Sequence, residues 1–190
     1  MSLGLKRFKH YASLSEETMA FDAIVTWEDR PIYTARNNGR GGMTLLRPVV
    51  DSDPADIAAA KAANAARERE YLQLTPDAIG QYGADLEDWV DSLAGRQVAI
   101  ESVLTSLKRA AKKGTTTLAM FANGHVTEFN APPSHPGIPA ALEKAAATNL
   151  STMPPREAAT LVVDTQHADE QARLKAAHTA AAAPAAGPSP

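Results

Sequence analysis

Residues 84 to 112 carry one apolar seam. Leu86, Val90, Leu93, Ile100, Leu104, Leu107 and Ala111 fall on one helix face, with Gln97 its only polar member. Asp85, Glu87, Asp88 and Asp91 occupy the first turns and Lys108, Arg109, Lys112 and Lys113 the last, the polarity that a helix macrodipole favours. Gly114 supplies a stop. Gly95 costs roughly 1 kcal/mol against alanine and marks the place where the helix would divide if it broke. A chain with one such helix must bury the seam against something, and the flanking segments decide what.

Both flanks carry strand periodicity. On the N-terminal side Met19, Phe21, Ala23, Val25 and Trp27 alternate with smaller or polar residues. Glu28 to Pro31 reads as a turn, Ile32 to Arg36 as the returning strand, Leu5 to Tyr11 as an edge strand, and Met43 to Val50 as one more short strand. On the C-terminal side Thr116–Ala122 and His125–Phe129 flank Asn123-Gly124, which predicts a two-residue type I′ hairpin pairing Ala122 with His125, Phe121 with Val126 and Leu118 with Phe129. An alanine-rich helix with a poor apolar stripe starts near Pro54, capped by Ser52 or Asp53, and Thr75-Pro76 and Gly80 to Gly83 break the helical pattern beyond it. Four prolines between Pro132 and Pro139 enforce an extended stretch before a short helix around Ala140–Ala147. The expectation is an α+β fold: a small antiparallel sheet of N-terminal strands plus the Asn-Gly hairpin, packed on one long helix, with an extra alanine-rich helix.

Composition sets the size of that core. Alanine supplies 38 of the 84 apolar residues among 190, leaving 46 large enough to fill space. From Gln166 the sequence is alanine, proline and charge with Leu174 its single large apolar residue, so burial there cannot offset ordering entropy. This sets one domain over roughly 3–165 and a disordered tail over 166–190, with transient helix at 168–178. Zero cysteines exclude a disulfide scaffold, a thiolate zinc site and a cysteine nucleophile. No apolar run approaches a membrane span, and the first residues lack the apolar centre of a signal peptide, so the expected location is the cytoplasm with no membrane partner.

Two segments concentrate polar chemistry. Asn37-Asn38-Gly39-Arg40-Gly41-Gly42 places an arginine among three glycines, which suits close approach of an anion to backbone and guanidinium. It equally suits a tight loop leaving a hairpin, with Asn and Gly present for positive φ. It lacks the spacing of a Walker loop, and no helix clearly succeeds it as a dinucleotide fingerprint requires. Ser15-Glu16-Glu17-Thr18 offers carboxylates for a ligand or for acid–base work, or a polar link between strands. Lys108, Arg109, Lys112 and Lys113 are candidates for phosphate backbones, alongside Lys6, Arg7 and Lys9, although a helix C-terminus accounts for the former group. The five histidines show no ligand spacing and no serine-nucleophile motif is present, so no metal, cofactor or catalytic residue is nominated.

Phe8-Lys-His-Tyr-Ala-Ser-Leu-Ser-Glu-Glu-Thr18, then Phe21-x-Ala23, then Asn37-x-Gly39-Arg40-Gly41-Gly42, resembles a family of small uncharacterised proteins encoded by bacteriophages and bacterial genomes. Leu107-Lys-Arg through Leu118-Ala-Met-Phe, His125 to Pro132 and Ile138–Leu142 look like that family's closing strand pair and helix. The alanine-rich stretch at 57–66 and the tail depart from its pattern. The resemblance implies a bacterial host cell and no activity. It groups Ser15, Glu16, Glu17, Thr18, Asn37, Asn38, Gly39 and Arg40 as one site, since both motifs flank one hairpin. The functional expectation is a phage- or mobile-element-type accessory protein that binds an anionic small molecule or another phage or host protein without catalysis. The alternatives are an enzyme on a phosphorylated small molecule, with Arg40 as clamp and Glu16 or Glu17 as base, and a nucleic-acid binder using Lys108–Lys113.

Overall fold

The computed structural model describes residues 2–74 and 85–182. It is α+β, and its strands form two antiparallel sheets where the sequence led us to expect one. The chain divides into two compact units, residues 1–98 and 99–190.

The first unit is a four-stranded meander, β1 (Leu3–His10), β2 (Phe21–Trp27), β3 (Arg30–Asn37) and β4 (Leu45–Pro48), succeeded by α1 (Pro54–Leu74) and the opening of α2 (Leu86–Lys113). The alternation read in β2 is real: Phe21, Ala23, Val25 and Trp27 are buried on one face and meet Ile32, Tyr33 and Ala35 of β3 in the same core. Ala60 of α1 and Leu86, Val90 and Ala94 of α2 complete it. Asp53 accepts the Ala55 amide and caps α1, and Asp85 accepts the Asp88 amide and caps α2. The break expected at Thr75-Pro76 and Gly80 to Gly83 lies outside the described residues.

One ion pair ties the β2–β3 hairpin to α1. Arg30, opening β3, reaches Asp56 in the first turn of α1, whose carboxylate is buried while the arginine stays largely exposed. Removing the arginine leaves a buried, uncompensated charge. Arg30→Ala is expected to cost about 2 kcal/mol in urea unfolding of the whole chain, and Arg30→Lys about half of that. Equal stability of wild type and Arg30→Ala would show the pair to be ornamental.

The second unit holds the rest of α2, then β5 (Thr117–Met120), β6 (Val126–Phe129), α3 (Ile138–Lys144), the two-residue β7 (Thr148–Asn149) and α4 (Pro155–Ala182), with strand order β6-β5-β7. Helix α2 continues through Gly95 without a break. Its later seam residues Ile100, Leu104 and Leu107 pack with Leu118, Met120, Leu150, Val162 and Val163. Thus the seam serves two small cores.

The Asn-Gly hairpin exists, one residue out of the expected register. Met120 pairs with Val126, Ala119 with Thr127, Leu118 with Glu128 and Thr117 with Phe129. Only Gly124 takes positive φ, +77°, while Asn123 does not. The Gly124 amide donates to Phe121 O, and Phe121 N donates to His125 O, which makes a type I turn closed by a glycine bulge. Asn123 spends its side chain on the His125 amide instead of adopting the left-handed region itself. A two-residue I′ geometry does occur elsewhere, at Glu28-Asp29, where both residues have positive φ.

The stretch from 166, expected as a tail, carries α4 to Ala182 and buries little; Leu174 is 46% exposed. Residues 183–190 lie outside the described residues.

Candidate functional site

Segment Ser15–Thr18 and loop Asn37–Gly42 meet at one end of the β2–β3 hairpin, mostly to hold one another. The amides of Glu16, Glu17 and Thr18 all point at Gly39 O, at 3.0, 2.9 and 3.2 Å. Ser15 Oγ donates to Tyr11 O and accepts the Ala20 amide. Thr18 Oγ1 donates to Asn37 Oδ1 and accepts the Gly41 amide. Asn37 is buried and saturated: its Oδ1 also accepts the Gly39 amide, and its Nδ2 donates to Gly42 O and Thr44 Oγ1. Asn38 Oδ1 accepts the Arg40 amide.

These bonds decide between the two readings of the glycine loop. An anion cradle needs unspent amides, and those of Gly39, Arg40 and Gly41 are all spent on side chains. The glycines serve packing. A Cβ at Gly39 would sit 2.0 Å from Leu14 O, and one at Gly41 2.2 Å from Glu17 Oε2. The segment that approaches the loop backbone is the protein's own residues 14–17. Ser15, Thr18, Asn37 and Gly39 are therefore scaffold; Glu16, Glu17, Asn38 and Arg40 stay exposed.

Glu16, Asn38 and Arg40 line a cavity of about 430 Å³ with Tyr11, Asp22 and Arg36. Next to it, sharing Tyr11, Asp22, Arg36 and Asn38, lies a larger one of about 790 Å³ over the solvent-facing side of the sheet. Strand register builds its floor. Lys9, Asp22, Arg36 and Leu45 are cross-strand neighbours in one row, and Lys6, Ile24, Thr34 and Arg47 in the next. The register of β1 slips between Lys6 and Lys9, and Arg7 within the slip has φ +51°. Such a bulge re-aims a side chain at a backbone cost a non-glycine residue rarely meets, and Arg7 lines the larger cavity.

Arg7, Lys9, Arg36 and Arg47 thus surround one hollow whose single acid among the described residues is Asp22. Asp22 is occupied: Tyr11 Oη donates to its Oδ2 at 2.9 Å, and Arg36 Nε stands 3.6 Å from its Oδ1. The bond to Asp22, reinforced by burial and the same negative charge, pushes the Tyr11 phenol above its ordinary value, so it stays a neutral donor. Lys6 is turned to Asp29 Oδ1, 2.9 Å away.

No family model, curated protein or solved structure matches this chain.

Lys108, Arg109, Lys112 and Lys113 are exposed at the end of α2, where Gly114 takes φ +67°. That is helix-stop geometry. Among the described residues no group of three His, Cys, Asp or Glu could hold a metal, and no helix is long and apolar enough to cross a membrane. The sequence alone did not nominate Arg36 or Arg47, and it nominated Arg7 and Lys9, with Lys6, only as candidates for phosphate backbones. Period-two alternation could have found them, since the residues facing away from Phe21, Ala23 and Val25 are where a sheet displays its chemistry.

Proposed function

We propose that this chain is a non-catalytic binding protein that takes an anionic ligand on the open face of its four-stranded sheet. The observation carrying this is the ring of Arg7, Lys9, Arg36 and Arg47 around one hollow whose only carboxylate among the described residues, Asp22, is already engaged. Arg36 shares Asp22 with Tyr11, while the exposed guanidinium groups of Arg7 and Arg47 have no ion pair among the described residues and favour an external carboxylate or phosphate. The resemblance at Phe8–Thr18 and Asn37–Gly42 supports a phage- or mobile-element-type accessory role in a bacterial cytoplasm.

Heparin, a general polyanion, tests the face directly. Wild type is expected to be retained at low salt, with retention falling steeply as salt rises. Arg36→Glu/Arg47→Glu should abolish retention, while Lys108→Glu/Lys112→Glu should leave most of it. The reverse pattern would move the site to the end of α2 and favour the nucleic-acid reading.

A second reading rests on Glu16 and Arg40 lining the smaller cavity together. There Arg40 would clamp a phosphorylated small molecule and Glu16 act as base.

A further inference from the structure

We infer that the occupant of the open sheet face is an acidic, partly apolar segment of a protein partner. This rests on the anion-binding reading above and names the ligand class. The cations do not stand on a polar floor. Ile24 of β2, the strand between β1 and β3, lines the hollow, and Met43 and Leu45 line its β4 side at 77% and 50% exposure. A small polyanion has no use for such side chains, which leave water only against an apolar counterpart. A single-stranded nucleic acid would use flat rings on which bases stack; among the described residues the face offers Tyr11 alone, with its hydroxyl held by Asp22.

Arginine, tyrosine and methionine together are the residue types enriched where proteins bind proteins. Charge selects the partner: Arg7 and Lys9 on one side and Arg36 and Arg47 on the other require carboxylates flanking a short apolar stretch. An extended segment meets that demand, because alternate side chains point down to Ile24 and Leu45 while the others reach outward.

Fluorescence anisotropy with three labelled probes of equal length tests this: a peptide alternating glutamate and leucine, a glutamate-only peptide, and an oligothymidylate. The alternating peptide is expected to bind best. Arg36→Glu and Arg47→Glu should each weaken it about tenfold. Leu45→Ser and Met43→Ser should weaken it several-fold and leave the glutamate-only peptide unaffected. All four positions are exposed, and far-UV circular dichroism checks that each variant folds. Tighter binding of the oligothymidylate through the same arginines would overturn the protein partner and keep the anion-binding face. So would equal binding of both peptides with no effect at Leu45. If charge reversal changes nothing for any probe, both this inference and the reading it rests on fall.

Discussion

Gly39→Ala is expected to destabilise the first unit by about 3 kcal/mol or more, and Gly42→Ala to be nearly neutral. Two costs add at Gly39. Its φ of +81° lies in the left-handed region, where a Cβ is disfavoured by roughly 1–2 kcal/mol. The added carbon would also fall 2.0 Å from Leu14 O and 2.9 Å from Ala20 Cβ, so the backbone of the 14–18 segment would have to move. That movement would break the three amide bonds converging on Gly39 O. Gly42, further along the loop, has ordinary φ, and a Cβ there meets nothing within 4 Å. Urea denaturation of the two variants separates the readings of the loop. If Gly39→Ala is as stable as wild type, the loop does not clasp the 14–18 segment, and its glycines must be explained by a ligand.

The contrast shows where sequence reasoning stops. Periodicity located β2, α2 and the hairpin around Asn123-Gly124, because each side chain there reports which way its own backbone faces. It failed where the outcome depends on partners far away in sequence. Nothing local in Asn123-Gly124 distinguishes a I′ turn from a type I turn with a glycine bulge; Gly124 is also closed in by Gln166 of α4, whose side chain donates to Gly124 O. The seam of α2 could not reveal that Val90 and Leu104 belong to different cores.

The site was legible in the same uneven way. Grouping residues 15–18 with 37–42 was sound as geometry, since both lie at one end of the β2–β3 hairpin. Which of them bind each other was not visible, because Asn, Thr and Ser satisfy backbone or ligand equally well. The basic face escaped notice for a different reason. Lys9, Arg36 and Arg47 are spread over three strands, and only the register Lys9–Asp22–Arg36 and Thr34–Arg47 gathers them.

Asn37→Asp should be the most pH-sensitive single change in the first unit, costing about 3 kcal/mol at neutral pH and much less in acid. Asn37 uses both lone pairs and both amide protons, and Thr44 Oγ1, which accepts one of them, donates its own proton to Asp91. An aspartate would bring a buried charge, lose both donated bonds, and face Thr44 oxygen to oxygen with Asp91 just beyond. Burial raises the pKa of such a carboxyl, so folding favours its protonated form. Stability is therefore fully present below the ordinary carboxylate range, about pH 4, and is lost as pH rises through the raised value. Wild type already leans this way. Burial pushes Asp91 up against the opposing pull of its Thr44 bond, and burial likewise raises Glu87 and Asp88. Wild type should therefore lose some stability from about pH 4 towards neutrality, and Asn37→Asp considerably more. Denaturation of both proteins across that range measures the difference. A deficit that stays constant with pH would mean that lost packing, rather than a buried charge beside Asp91, is what the substitution costs.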